Sequence, residues 1–181
     1  MPVPGDLTVA GSASAVANAV TAQWGRIDVL LHLVGGWAGG TAVADLDHDE
    51  VRWMLDQHLW TTLHVAQAVV PGMVERGSGR VIAVSSPLAA DPGPKGASYA
   101  VAKASEEALV RSLAREVSGS GVTANLVLVR TLDPNHERET APTAKNASWA
   151  TPEEVAETMV CLTSPAAAAV NGARIPLYGR A

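Results

Sequence analysis

Three apolar runs separated by helical patterns constrain this chain more than any other feature. They are RIDVLLHLVGG at 26–36, RVIAVSS at 80–86 and VTANLVLV at 122–129. Within each run the apolar residues are continuous rather than alternating, as expected of strands buried on both faces. Between them the spacing is helical. A first helix runs through ASAVANAVTAQW, with Ser12 or Ser14 as cap and Gly25 as stop. A second runs from Asp47 to about Arg76, with Asp45 or Asp47 as cap, a kink at Pro71 and Gly77 closing it. A long third helix spans 97–118 and ends at Gly119 and Gly121. TPEEVAETMVCL is a fourth, because Thr151, Pro152 and Glu154 form a capping-box start. ARIPLYG at 173–179 reads as a short last strand.

Strands alternating with helices predict an α/β fold, a parallel sheet with helices on both faces. Ligands of such sheets sit at the carboxyl ends of the strands. Those ends are 34–40, 85–90 and 129 onward, so three distant segments should open onto one crevice. A length of 181 residues fits one domain, 1–181. The formal charge of -5 gives no reason to expect nucleic acid or an anionic membrane as partner. The start MPVPGDLT has neither the basic residues nor the apolar run of a signal peptide, and a single Cys161 excludes an internal disulfide. Both are expected of a cytoplasmic protein.

SYAVAK at 98–103 holds one of the two tyrosines. Residues four apart share a helix face, so Tyr99 and Lys103 project together. A nearby ammonium and the positive end of a helix both favour a phenolate, which makes the pair a candidate general acid/base. The alternative is a tyrosine packed on the sheet beside a solvated lysine. Ser86, at the end of a buried strand, can hold a carbonyl oxygen beside Tyr99, or it is an ordinary polar residue at a strand end. No histidine spacing suggests a metal site. Asp133, His136, Glu137 and Glu139 read as a solvated or mobile lid. Trp53 and Trp60 read as core or interface, and Trp37 and Trp149 can also line an apolar substrate pocket.

With Ser86 and Tyr99-x-x-x-Lys103 set between VIAVSS and VTANLVLV, the chain resembles the short-chain dehydrogenase/reductase family. GRIDVLLHLVGG, DQHLWTTLHVAQAVVPGM, GVTANLVLV and VNGARIPLYG match further segments of that family, over nearly the whole length. The resemblance implies a Rossmann-like parallel sheet flanked by helices, and hydride transfer between NAD or NADP and a small carbonyl or alcohol. It implies that Tyr99 exchanges a proton with substrate, that Lys103 lowers the Tyr99 pKa and bonds the nicotinamide ribose, and that Ser86 orients substrate. Asp6 and Leu7 match the adenine edge, although Asp6 reads equally well as a surface turn. Val34 and Gly35, with Val129 and Arg130, match positions beside the nicotinamide.

The chain also departs from the family. It lacks the first two strand–helix units and, with them, the G-x-x-x-G-x-G turn that cradles the pyrophosphate. No cofactor at all is therefore the competing expectation. DVLLHLV would become a sheet edge, which predicts homo-oligomerisation, cover by the N-terminal segment, or a missing partner polypeptide. His58 stands where the family has its catalytic asparagine, as a proton relay or as a satisfied interior histidine. Arg130 replaces a glycine and would bind an anionic substrate or form a salt bridge. Three functions compete: an NAD(P)-dependent oxidoreductase, a cofactor-independent isomerase, dehydratase or cyclase using Ser86, Tyr99 and Lys103, and a non-catalytic subunit. Nucleotide titration separates the first two, and removal of Tyr99 tests the third.

Overall fold

The computed structural model describes residues 2–178. Its sheet has four parallel strands in the order β1 (Val29–His32), β2 (Gly79–Ser85), β3 (Val122–Leu128) and β4 (Arg174–Pro176). Strands β2 and β3 pair over seven residues and form the centre. The sequence placed β4 at 173–179; it is shorter, and Gly179 lies outside the described residues.

Successive strand residues face opposite ways, and two cores follow from that alternation. Val81, Ala83, Ala124, Leu126 and Leu128 meet helices α1 (Ala10–Trp24), α3 (Thr61–Glu75) and α4 (Ala97–Glu116) on one face. Ile82 and Val127 meet Val155, Met159 and Leu162 of α6 (Pro152–Thr163) on the other. Burying each leucine or isoleucine fully contributes about 1.5–3 kcal/mol. Helices flank both faces, as the alternation predicts, but the second face carries α6 alone of the long helices. Beside it Leu31 and Leu33, 44% and 63% exposed, line an apolar groove of about 460 Å³ with Val155 and Met159.

Several local expectations need correction. Helix α1 starts one turn earlier than expected. Val9 precedes it without a side-chain cap, so Ser12 and Ser14 lie inside the helix. The second predicted helix is two: α2 (His48–Leu55), capped by Asp47, and α3, joined through a π-helical turn at Asp56–Trp60. The wide turn leaves carbonyls to satisfy, and the hydroxyls of Thr61 and Thr62 donate to the Gln57 and His58 carbonyls. Pro71 sits within α3 without ending it. The Thr151–Glu154 capping box forms as read.

The segment read as a lid is ordered by its own charges. Asp133 is 1% exposed and accepts the amides of Glu137 and Arg138, while Arg138 pairs with Glu154. A short helix, α5 (Glu137–Thr140), results. Among the described residues no helix is long and apolar enough to cross a membrane.

Candidate active site

The chain leaves β1, β2 and β3 at the same end of the sheet, and the segments that follow meet there. Val34 and Gly35 after β1, Ser85 at the end of β2, and Val129 and Arg130 after β3 line one cavity of about 300 Å³. Tyr99, Lys103 and His58 line it too. Seven of the residues singled out from sequence thus share a single pocket. Helix α4 supplies two of them because Tyr99 and Lys103 are one turn apart, and its amino end lies by the strand ends.

Ser86 is 2% exposed and stands behind the pocket wall, where it hydrogen-bonds Tyr99 and caps a short turn through the Leu88 amide. Asp6 and Leu7 are not brought to the pocket. Asp6 is an exposed turn residue whose carboxylate accepts the Thr8 amide and hydroxyl, and these bonds hold its pKa below the usual carboxylate range. Leu7 packs on the α1–α3 core, and its carbonyl meets His64 Nδ1 at 3.0 Å. Trp149 lines a different cavity, beside Arg138. Trp37, Trp53 and Trp60 are all well exposed rather than core.

The charge around Tyr99 differs from expectation. Lys103 Nζ donates to the Val84 carbonyl and to Glu106 Oε2, both at 2.7 Å. Its charge is therefore matched by a carboxylate that is 0% exposed. Burial pushes the Tyr99 hydroxyl above its ordinary range, the Ser86 bond pulls it down, and the Glu106 charge adds to the rise. Burial is the largest of these influences, and the Lys103 ammonium that the sequence reading set beside Tyr99 is itself paired with Glu106. A raised pKa favours the protonated form of the Tyr99 phenol.

Glu106 escaped the sequence reading. Tyr99, Lys103 and Glu106 stand at i, i+4 and i+7, so they share one helix face, and that spacing could have revealed it. Glu107, next to it, faces Ser85 and Arg174 and ties α4 to β2 and β4.

The π turn delivers His58 to the pocket, 1% exposed and edge-on to Tyr99 at 5.6 Å between ring centroids. Its Nε2 lies 2.9 Å from the Gly36 carbonyl, and its Nδ1 faces Glu106 Oε2 at 3.7 Å. His32 lies nearby at the end of β1. Burial pulls its pKa down, Glu106 raises it, and Lys103 and His58 lower it further. Arg130 has no carboxylate partner among the described residues. It lies 5.6 Å over the Tyr178 ring instead of forming the expected salt bridge.

Gly35 also makes room for His58. A Cβ there would lie 2.5 Å from His58 Cε1, so the space left by the missing side chain holds the imidazole. Gly35→Ala should displace His58 and destabilise the chain by about 1–3 kcal/mol. Urea unfolding checks this; a cost below about 0.5 kcal/mol would show that His58 moves freely.

A family profile described as enoyl-(acyl carrier protein) reductase matches residues 1–179. The 3-oxoacyl-(acyl-carrier-protein) reductase FabG of Vibrio cholerae is 29% identical over 176 residues, covering 93% of this chain and 72% of the relative. A cyclohexanol dehydrogenase of Rhodococcus sp. is 28% identical over 188 residues, covering 96% of this chain and 70% of the relative. The crystal structure of gox2181 superposes with a TM-score of 0.85 at 25% identity, covering 96% of this chain and 72% of that one.

Proposed function

The chain belongs to the short-chain dehydrogenase/reductase family, and we propose that it interconverts a small carbonyl compound and its alcohol by hydride exchange with NAD(P), with Tyr99 as proton donor and acceptor. The observation that supports this most is the meeting of Tyr99 and Lys103 in one pocket at the strand ends, with Ser86 buried beside Tyr99. The named activities of the two relatives, reduction of an oxoacyl group and oxidation of cyclohexanol, are of the same class.

The chain's own residues supply the proton chemistry. A substrate oxygen seated beside the Tyr99 hydroxyl would accept a hydrogen bond from it and hold the reacting carbon in the pocket. As charge grows on that oxygen, the Tyr99 proton crosses to it; in the reverse direction Tyr99 takes the proton back. Val34, Val84 and Val129 give the pocket its apolar lining, against which the substrate carbon skeleton would pack. NAD(P), when bound, supplies or accepts the hydride. The pocket suits the nicotinamide end of that cofactor, beside Val34, Val129 and Arg130. No described glycine-rich turn offers amides to its pyrophosphate, and the Gly35 gap is taken by His58.

In an alternative reading Ser86, Tyr99 and Lys103 perform proton transfer without nucleotide, as in an isomerase, dehydratase or cyclase. Titration of NADH and NADPH into the purified chain separates the readings. Saturable binding near the micromolar range is expected for the oxidoreductase. No binding, together with a proton-transfer activity lost in Tyr99→Phe, would replace it with the alternative.

Self-association through β1 is a second proposal. Among the described residues the strand pairs only with β2, and the N-terminal segment runs to the α3 side through Leu7 and His64 rather than along the open edge. An unpaired edge beside exposed Leu31 and Leu33 favours pairing with a second copy. Light scattering should give a dimer or larger, and Leu31→Lys should shift it toward monomer. A monomeric parent chain at micromolar concentration would overturn this.

A further inference from the structure

Two buried groups beside Tyr99, Lys103 and His58, meet one carboxylate. Glu106 Oε2 accepts Lys103 Nζ at 2.7 Å and faces His58 Nδ1 at 3.7 Å. Its other oxygen, Oε1, has no hydrogen-bond partner among the described residues, and neither has His58 Nδ1. The separation is longer than a hydrogen bond and too short to admit a bridging water. The two atoms therefore meet directly, and a proton on one of them is what makes the contact attractive rather than repulsive. His58 Nε2 is committed at the opposite side to Gly36. Lys103, for its part, is fixed by Glu106 and the Val84 carbonyl.

We propose that Glu106 is a positioning residue that keeps Lys103 from serving as the cation of Tyr99 in the resting site, so that Tyr99 waits as a neutral proton donor. The inference rests on the reading of Tyr99 as the acid/base. It adds a direction: the resting chain is set for protonating a substrate oxygen, the step that reduction of a carbonyl requires. The ion pair places no net charge beside the phenol; His58 from the π turn lies edge-on to it, and His32 at the end of β1 interacts with the Lys103–Glu106 pair and with His58. The direction of the Tyr99 shift, upward with Glu106 among its causes, agrees.

The test needs neither substrate nor cofactor. The chain has two tyrosines, so Tyr178→Phe leaves Tyr99 as the single phenol, and its ionisation is followed by phenolate absorbance. In that background Glu106→Gln should lower the Tyr99 midpoint by about one pH unit, a tenfold gain in phenolate at a given pH. An unchanged or raised midpoint overturns the proposal. Should that variant not fold, the double change Glu106→Met with Lys103→Met removes both charges at similar volume. The midpoint should then match the parent, and a displacement of about one pH unit in either direction overturns the proposal. A chain that binds no NAD(P) yet shows these results would refute the oxidoreductase reading and leave the role of Glu106 standing.

Discussion

Tyr99→Phe should lower turnover about 10²- to 10⁴-fold while leaving the fold intact. The magnitude is that of removing a positioned general acid from a proton transfer. The fold survives because the ring still packs edge-on against His58, and the lost hydroxyl bonded only Ser86 among the described groups. Urea midpoints for the parent and the variant should agree within about 0.5 kcal/mol, the usual margin for a small change away from packed features. Activity within about threefold of the parent would remove Tyr99 from the mechanism, and both catalytic readings with it. The pH profile gives a second check. Burial holds Tyr99 above its ordinary range, so it is protonated through neutral pH. Carbonyl reduction, which uses the protonated form, should vary little there. Alcohol oxidation, which needs the phenolate, should rise as the solution becomes more alkaline.

Lys103→Met should destabilise the chain by about 3–5 kcal/mol, because it strands the Glu106 carboxylate in the interior. That is a large share of the roughly 5–15 kcal/mol that holds a typical domain together. Glu106 is 0% exposed, and Lys103 is its only ion-pair partner shorter than 3 Å among the described residues. Adding Glu106→Met should return most of the loss, since an apolar pair of similar volume carries no desolvation cost. Denaturant unfolding of the two variants provides the measurement. A cost under about 1 kcal/mol for the single change would show that water reaches Glu106. This expectation also governs how a lysine variant is read: its loss of activity is partly loss of folded protein.

The fold was legible because it depends on local periodicity. Continuous apolar runs at 80–86 and 122–129 could only be strands covered on both sides, and the helical spacing between them left a parallel sheet as the solution. The run at 26–36 was legible as a strand, but Val29 and Leu31 are exposed, because burial requires a neighbour that a run of letters does not name. The π turn at Asp56–Trp60 was not read from the helical pattern, although one added residue rotates the apolar stripe by about 100°.

The sequence alone determined which residues can share the site: Tyr99, Lys103 and Glu106 recur on one helix face, and three strand ends had to converge, because helix pitch and strand direction are properties of the chain itself. Tertiary structure decided the charge that each residue feels. The Lys103–Glu106 pairing, the seat of His58 against Gly35 and Gly36, and the raised pKa of Tyr99 arise from distances between separate elements and from exclusion of water. Electrostatic energy depends on those two quantities, and neither is a function of spacing along the chain.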